Sequence, residues 1–99
     1  MLRIELHPSA DEEFAAQVTY YEDREPGLGR RFYDEMIAHF DWIAANPEVP
    51  RLRKGYRRVN LKVFPFYVAY AAEPDRVWVV AVAHGSKRPG YWMKRMRGG

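Results

Sequence analysis

The chain has 99 residues, 47% hydrophobic and 15% aromatic, no cysteine and a net charge of +3. This is one domain, residues 1–99, with one core, and it excludes disulfides, thiolate metal sites and cysteine nucleophiles. No run approaches the ~20 apolar residues of a membrane span, and Met1-Leu2-Arg3-Ile4-Glu5 has no signal-peptide pattern, so a cytoplasmic protein without membrane contact is expected.

Leu2, Ile4 and Leu6 alternate with Arg3, Glu5 and His7, which predicts a short strand with one buried face, ended by Pro8-Ser9. Ser9 and Glu12 read as a capping box, with Asp11 and Glu13 adding acid where the helix dipole favours it. Ala10, Phe14, Val18 and Tyr21 follow at helical spacing, so a first helix runs to about Glu25 and breaks at Pro26-Gly27-Leu28-Gly29. Leu28, Phe32, Met36, Phe40 and Ile43 form a second stripe, predicting a helix from about Leu28 to Ala45 stopped by Asn46-Pro47. So short a connection makes the two helices antiparallel neighbours.

A loop from Asn46 to Gly55 carries two prolines and the basic cluster Arg51, Arg53 and Lys54. Tyr56 to Val63 then reads as a strand with Arg58 and Lys62 on one side, sharing parity with Tyr56, Asn60 and Phe64. Pro65 interrupts, and the next strand spans about Phe66 to Ala72. Val77 to Ala83 is apolar on both faces, which marks a central strand. From about residue 85 the chain is a basic, aromatic tail that reads as an edge strand, a helical turn or a segment ordering on a partner.

The order β-α-α-β-β-β predicts a two-layer α+β fold, a helical hairpin packed on one face of an antiparallel sheet. Charge divides along the chain. Residues 1–48 hold eleven acidic and four basic residues, a net of −7, whereas residues 49–99 hold twelve basic and two acidic, a net of +10. A domain that gathers its positive charge in this way suits an anionic partner: nucleic acid, an acidic protein segment or a lipid surface. The tail shows no amphipathic helix suited to a lipid surface.

Tyr20-Tyr21-Glu22, Pro26-Gly27-Leu28-Gly29-Arg30-Arg31-Phe32, Phe64-Pro65-Phe66-Tyr67-Val68-Ala69-Tyr70, Ala81-Val82-Ala83-His84-Gly85 and Arg88-Pro89-Gly90-Tyr91-Trp92 stand in one order over nearly the whole chain. Together they resemble the RelE/ParE superfamily, the toxins of type II toxin–antitoxin modules, often called plasmid stabilisation proteins. The resemblance implies a two-layer α/β fold with the last long strand beside the first. It also implies a cognate antitoxin encoded nearby, whose acidic or amphipathic segment wraps the toxin, and no cofactor. RelE-like members cut messenger RNA on the ribosome; ParE-like members act on DNA gyrase. A homodimer that covers an exposed apolar patch is a further expectation.

Metal-free RNA cleavage needs a base, an acid and cations around the phosphorane. Arg58, Lys62, His84, Arg88 and Tyr91 are the candidates, with Lys87 within reach. Against the RelE-like pattern, Asn60 stands where a lysine is expected and Tyr67 where the third-strand arginine is expected. A neutral phenol does not replace a phosphate-clamping arginine. The motifs from Phe64 to Tyr67 and from His84 to Trp92 resemble the ParE branch, so a gyrase inhibitor acting by binding is favoured over a ribosome-dependent nuclease or an inactive member that only binds antitoxin. The target-facing residues are then Lys87, Arg88, Tyr91, Trp92, Lys94 and Arg95, although Tyr91 and Trp92 also read as a clasp that pins the tail to the sheet. Gly27-Leu28-Gly29 follows a helix and lacks a Gly-Lys-Ser/Thr, so it is no phosphate loop. His7 and His39 have no company at metal-ligand spacing, and no metal is expected.

Overall fold

A computed structural model describes residues 2–97. The elements are β1 (Arg3–Leu6), α1 (Pro8–Arg24), α2 (Leu28–Ala45), β2 (Arg57–Asn60), β3 (Phe66–Ala72), β4 (Arg76–His84) and a 3-10 turn at Met93–Arg97. The sheet order is β1-β4-β3-β2. The pairs β2–β3 and β3–β4 are antiparallel, as expected of strands joined by short connections. β1 joins β4 in parallel, which makes the sheet mixed. The helical hairpin, β2 and β3 all lie between β1 and β4 in the chain, a connection long enough for a parallel neighbour.

The first helix begins differently from the capping-box expectation. Pro8 is the first helical residue, where its missing N–H costs nothing. The cap is therefore His7, whose Nδ1 accepts from the Ser9 N–H at 3.0 Å. Ser9 lies inside the first turn, so its hydroxyl does not play the cap. The second helix is capped from a distance. The Glu22 carboxylate accepts from the N–H groups of Gly27, at 2.9 Å, and Gly29, at 3.1 Å. An anion at an exposed helix N-terminus is where the dipole favours it.

One core lies between the hairpin and the sheet. Phe14, Phe32, Met36, Phe40 and Ile43 from the helices meet Phe66, Val68 and Tyr70 of β3 and Val77, Val79 and Val82 of β4. Its rings meet mostly edge-on: Phe32 lies 5.1 Å from Phe64 and 5.4 Å from Phe66. Such pairs add roughly 0.5–1.5 kcal/mol beyond area burial.

The other face of the sheet carries a second core, and this explains why β4 is apolar on both sides. Tyr67, Ala69, Val80, Ala81 and Ala83 pack against Trp92, which is 1% exposed, with Tyr56, Tyr91, Met93 and Met96 around it. The tail is thus a strap across the sheet. A register shift between Ala69 and Tyr70 leaves Val80 opposite no residue of β3 and puts Val80 and Ala81 together under this strap.

Candidate partner-binding surface

The strap is held where β4 loses its neighbour. β1 pairs β4 only as far as Leu6↔Val79, and His7 N–H still reaches the Val79 carbonyl at 2.8 Å before Pro8 turns the chain into α1. Beyond that point the outer edge of β4 needs other partners. The Val80 carbonyl accepts from Arg95 at 3.0 Å. The Val82 N–H donates to Glu13 Oε1 at 3.1 Å. Arg95 and Glu13 also bind each other through two bonds of 3.0 Å, and the Tyr91 phenol donates to Glu13 Oε2 at 2.7 Å. Burial, followed by the Glu13 carboxylate, holds the Tyr91 phenol well above its ordinary value. Inside the strap, Trp92 Nε1 donates to the Tyr67 phenol at 3.0 Å.

These contacts divide the residues expected to face a target. Trp92 is buried, so it anchors the surface and presents no ring to a partner. Tyr91 and Arg95 are partly buried and engaged by Glu13. Lys87, Arg88 and Lys94 are exposed. Lys87 lies 5.2 Å from the centre of the Tyr91 ring.

The candidates for RNA cleavage are not brought together as a set. Arg58 is aligned with Ala69, and its guanidinium lies 3.8 Å above the Tyr67 ring, on the strap side. It also donates to Asn60 Oδ1 at 2.9 Å. His84 is aligned with Phe66, and its ring meets the Phe66 ring edge-on at 5.0 Å, on the helix side. The sheet therefore separates the two. His84 Nδ1 is occupied by Ser86, whose N–H donates at 3.0 Å and whose hydroxyl lies at 2.7 Å. His84 shares a shallow cavity of about 220 Å³ with Glu13, Lys87 and Tyr91.

Lys62 corrects the parity argument. β2 ends at Asn60, Leu61 turns inward to 7% exposure, and Lys62 lies in a loop beside α2. The cause is Glu35, whose carboxylate accepts from the backbone N–H of Lys62 at 2.6 Å and of Val63 at 3.3 Å. An acceptor on α2 thus ends the strand early and carries Lys62 away from Arg58. Tyr67, at the position where the third-strand arginine is expected, is 4% exposed and supports both Arg58 and Trp92.

Two parts of this surface are assigned no role by the sequence reading. Glu13 sits in what looks like an ordinary acidic first turn, and its partners lie 69 to 82 residues away. Arg51, Arg53 and Lys54 are visible as a basic cluster before Gly55, and they stand beside Pro89, Gly90 and Met93 of the strap.

A helical hairpin on one face of a mixed four-stranded sheet, with a basic strap over the other, defines a small two-layer α+β domain organised around a cationic surface. The chain belongs to the ParE toxin family: residues 4–89 match the model of the family described as ParE toxin of type II toxin-antitoxin system, parDE. It is 28% identical over 92 residues to Toxin ParE2 of Mycobacterium tuberculosis (strain CDC 1551 / Oshkosh), covering 88% of this chain and 85% of that one. The same figures hold for Toxin ParE2 of Mycobacterium tuberculosis (strain ATCC 25618 / H37Rv). The fold is similar to a solved structure titled "Chromosomal ParDE TA system from P. aeruginosa", with a TM-score of 0.72, 15% identity, and coverage of 85% of this chain and 96% of that one. At that identity the likeness is one of fold. Among the described residues no helix is long and apolar enough to cross a membrane.

Proposed function

We propose that this toxin works in the cytoplasm by binding DNA gyrase, not by cutting RNA, and that a cognate antitoxin encoded nearby neutralises it. The observation that carries the reading is the separation of Arg58 from His84 by the sheet. A phosphorane needs its cations and its proton-transfer group within about 3 Å of one reacting centre. Here Arg58 is stacked on Tyr67, Lys62 stands beside α2, and the Tyr91 hydroxyl donates to Glu13. A phenol held protonated in this way is a poor base at neutral pH.

Binding makes fewer demands. It needs a rigid surface with accessible charge, and Lys87, Arg88 and Lys94 supply the charge on a strap anchored by Trp92. The test is a supercoiling assay on purified gyrase beside cleavage mapping of cellular RNA after induction. Expected are lost supercoiling at micromolar toxin, intact transcripts, and recovery when the product of the adjacent reading frame is added. Codon-specific cuts abolished by His84→Ala, with supercoiling untouched, would replace this reading by the nuclease one. Normal growth on induction without the antitoxin would mark an inactive member.

A further inference from the structure

Two depressions run together beside the strap. One, of about 720 Å³, lies between residues 51–56 and residues 89–93. The other, of about 380 Å³, lies between Lys54 and the 3-10 turn. Lys54 and Met93 line both, so they form one groove.

Both walls are fixed. The loop wall is exposed, yet Arg57 donates to the Pro50 carbonyl at 2.7 Å and the Glu48 carbonyl at 3.1 Å. The Tyr70 phenol holds the Pro47 carbonyl at 2.8 Å, and Arg53 N–H bonds the Tyr56 carbonyl at 2.8 Å. Gly55 turns this loop with φ +82°, a conformation that L side chains rarely adopt. The two walls meet where the Tyr56 ring stands edge-on to Trp92, with centroids 4.6 Å apart. A groove so held loses little entropy on binding.

The chemistry of the lining is specific. Arg51, Arg53, Lys54, Lys94 and Arg97 surround it, and among the described residues no acidic side chain lines it. Among the described residues the ion pairs engage Arg3, Arg30, Arg76 and Arg95, and none of these five. Between the cations lie Leu52, Met93 and Met96, whose adaptable surfaces accept an apolar side chain. Tyr56 lines the groove half-buried, its ring edge-on to Trp92, and Trp92 is 1% exposed, so among the described residues the groove offers one partly covered ring and no platform on which successive bases would stack.

We infer that this groove seats an acidic peptide segment of the target protein, its carboxylates meeting the loop and strap cations and one or two apolar side chains resting on Met93 and Met96. The inference rests on the reading that the toxin acts by binding a protein. It adds Arg51, Arg53 and Lys54 to the target-facing surface and makes the strap one wall of it.

The experiment is fluorescence anisotropy with three labelled probes: a short Asp/Glu peptide carrying two leucines, the same peptide with serines in their place, and a single-stranded oligonucleotide of equal charge. Wild type is compared with Arg53→Glu/Lys54→Glu/Lys94→Glu. All three side chains are exposed, so the urea midpoint should not move. The leucine peptide should bind tightest, and the triple variant should lose ~10-fold or more for it. Arg51→Gln/Arg53→Gln, which removes charge without reversing it, should lose a smaller share. Tighter binding of the oligonucleotide, indifference to the leucines, or unchanged affinity in the variants would overturn the inference. The supercoiling assay separates it from the function above. A triple variant that inhibits gyrase like wild type sinks the groove alone. A wild type that ignores gyrase, yet holds the leucine peptide through these cations, sinks the gyrase reading alone.

Discussion

Arg95 donates from both terminal nitrogens to the two carboxylate oxygens of Glu13, at 3.0 Å each, across 82 residues of chain. The pair also satisfies the Val80 carbonyl and the Val82 N–H on the edge of β4 that β1 leaves open. Glu13→Gln should therefore cost more than a surface ion pair. The side chains are only 19% and 21% exposed, and removing one partner strands the other, so a loss of about 2 kcal/mol in urea unfolding is expected. Arg95→Ala should cost a similar amount. The double variant should fall short of the sum by about 1–2 kcal/mol. Strict additivity would show that the two side chains do not act together.

Alkaline stability should report the same contact. Tyr91 is raised well above its ordinary value by burial and by Glu13, and burial pushes Tyr70 up to about 12. A phenol whose folded value is raised binds its proton more tightly in the folded state. Its contribution is complete below the unfolded value near pH 10 and is lost as the pH rises through the folded value. Between about pH 10 and about pH 12 Tyr70 should therefore withdraw stability as the pH rises, and Tyr91 should add to the loss. Urea midpoints should be level up to about pH 9 and fall steeply beyond pH 10, with Tyr91→Phe and Tyr70→Phe each flattening part of the fall. A wild-type midpoint still level at about pH 11 would contradict this account.

The elements whose signals are local were legible in the sequence. The α2 stripe from Leu28 to Ile43 and the span of β3 follow from spacing and from Pro65, and both stand where expected. The doubly apolar β4 was legible as central, and the tail was legible as a clasp on the sheet, though not the face that it covers. Tyr91 and Trp92 read from sequence as that clasp, and Trp92 does pack on Tyr67, Ala69 and the alanines of β4; that Glu13 of α1 holds the clasp in place was not legible. β2 ended early because Glu35 takes the backbone of Lys62 and Val63 from 27 and 28 residues away, a capture that no period-two pattern encodes. The sequence likewise shows the candidate cleavage side chains as one set, whereas the structure places Arg58 on the strap side of the sheet, His84 on the helix side and Lys62 in a loop beside α2.

Trp92 should be the residue on which the second core depends. Trp92→Ala removes a side chain that is 1% exposed and leaves Tyr67 without its indole donor, so a cost of about 3–5 kcal/mol is expected. That is a large share of the stability of a domain of this size. Trp92→Phe keeps most of the volume and should cost about 1–2 kcal/mol. The readouts are the urea midpoint and the binding of a hydrophobic dye, which should rise as the Tyr67–Ala69 face is uncovered. A Trp92→Ala protein as stable as wild type, with no dye binding, would show that the strap is dispensable for the fold.

The two glycines of the interhelical turn should fail in different ways. Gly29 lets α2 approach α1 closely: a Cβ there would stand 2.5 Å from the Val18 carbonyl oxygen and 2.8 Å from Glu22 Cβ. The first obstacle is backbone, and the second belongs to the residue that caps α2, so neither yields without parting the hairpin. Gly29→Ala should then cost about 3 kcal/mol, the upper end for overpacking, despite the better helix propensity of alanine. Gly27 has φ +90° and open space around its Cβ position. Gly27→Ala meets only backbone strain, about 1–2 kcal/mol. The urea midpoint should fall further for Gly29→Ala, and valine should widen the gap at position 29. The reverse order would mean that the turn is limited by its backbone conformation and not by the closeness of the helices.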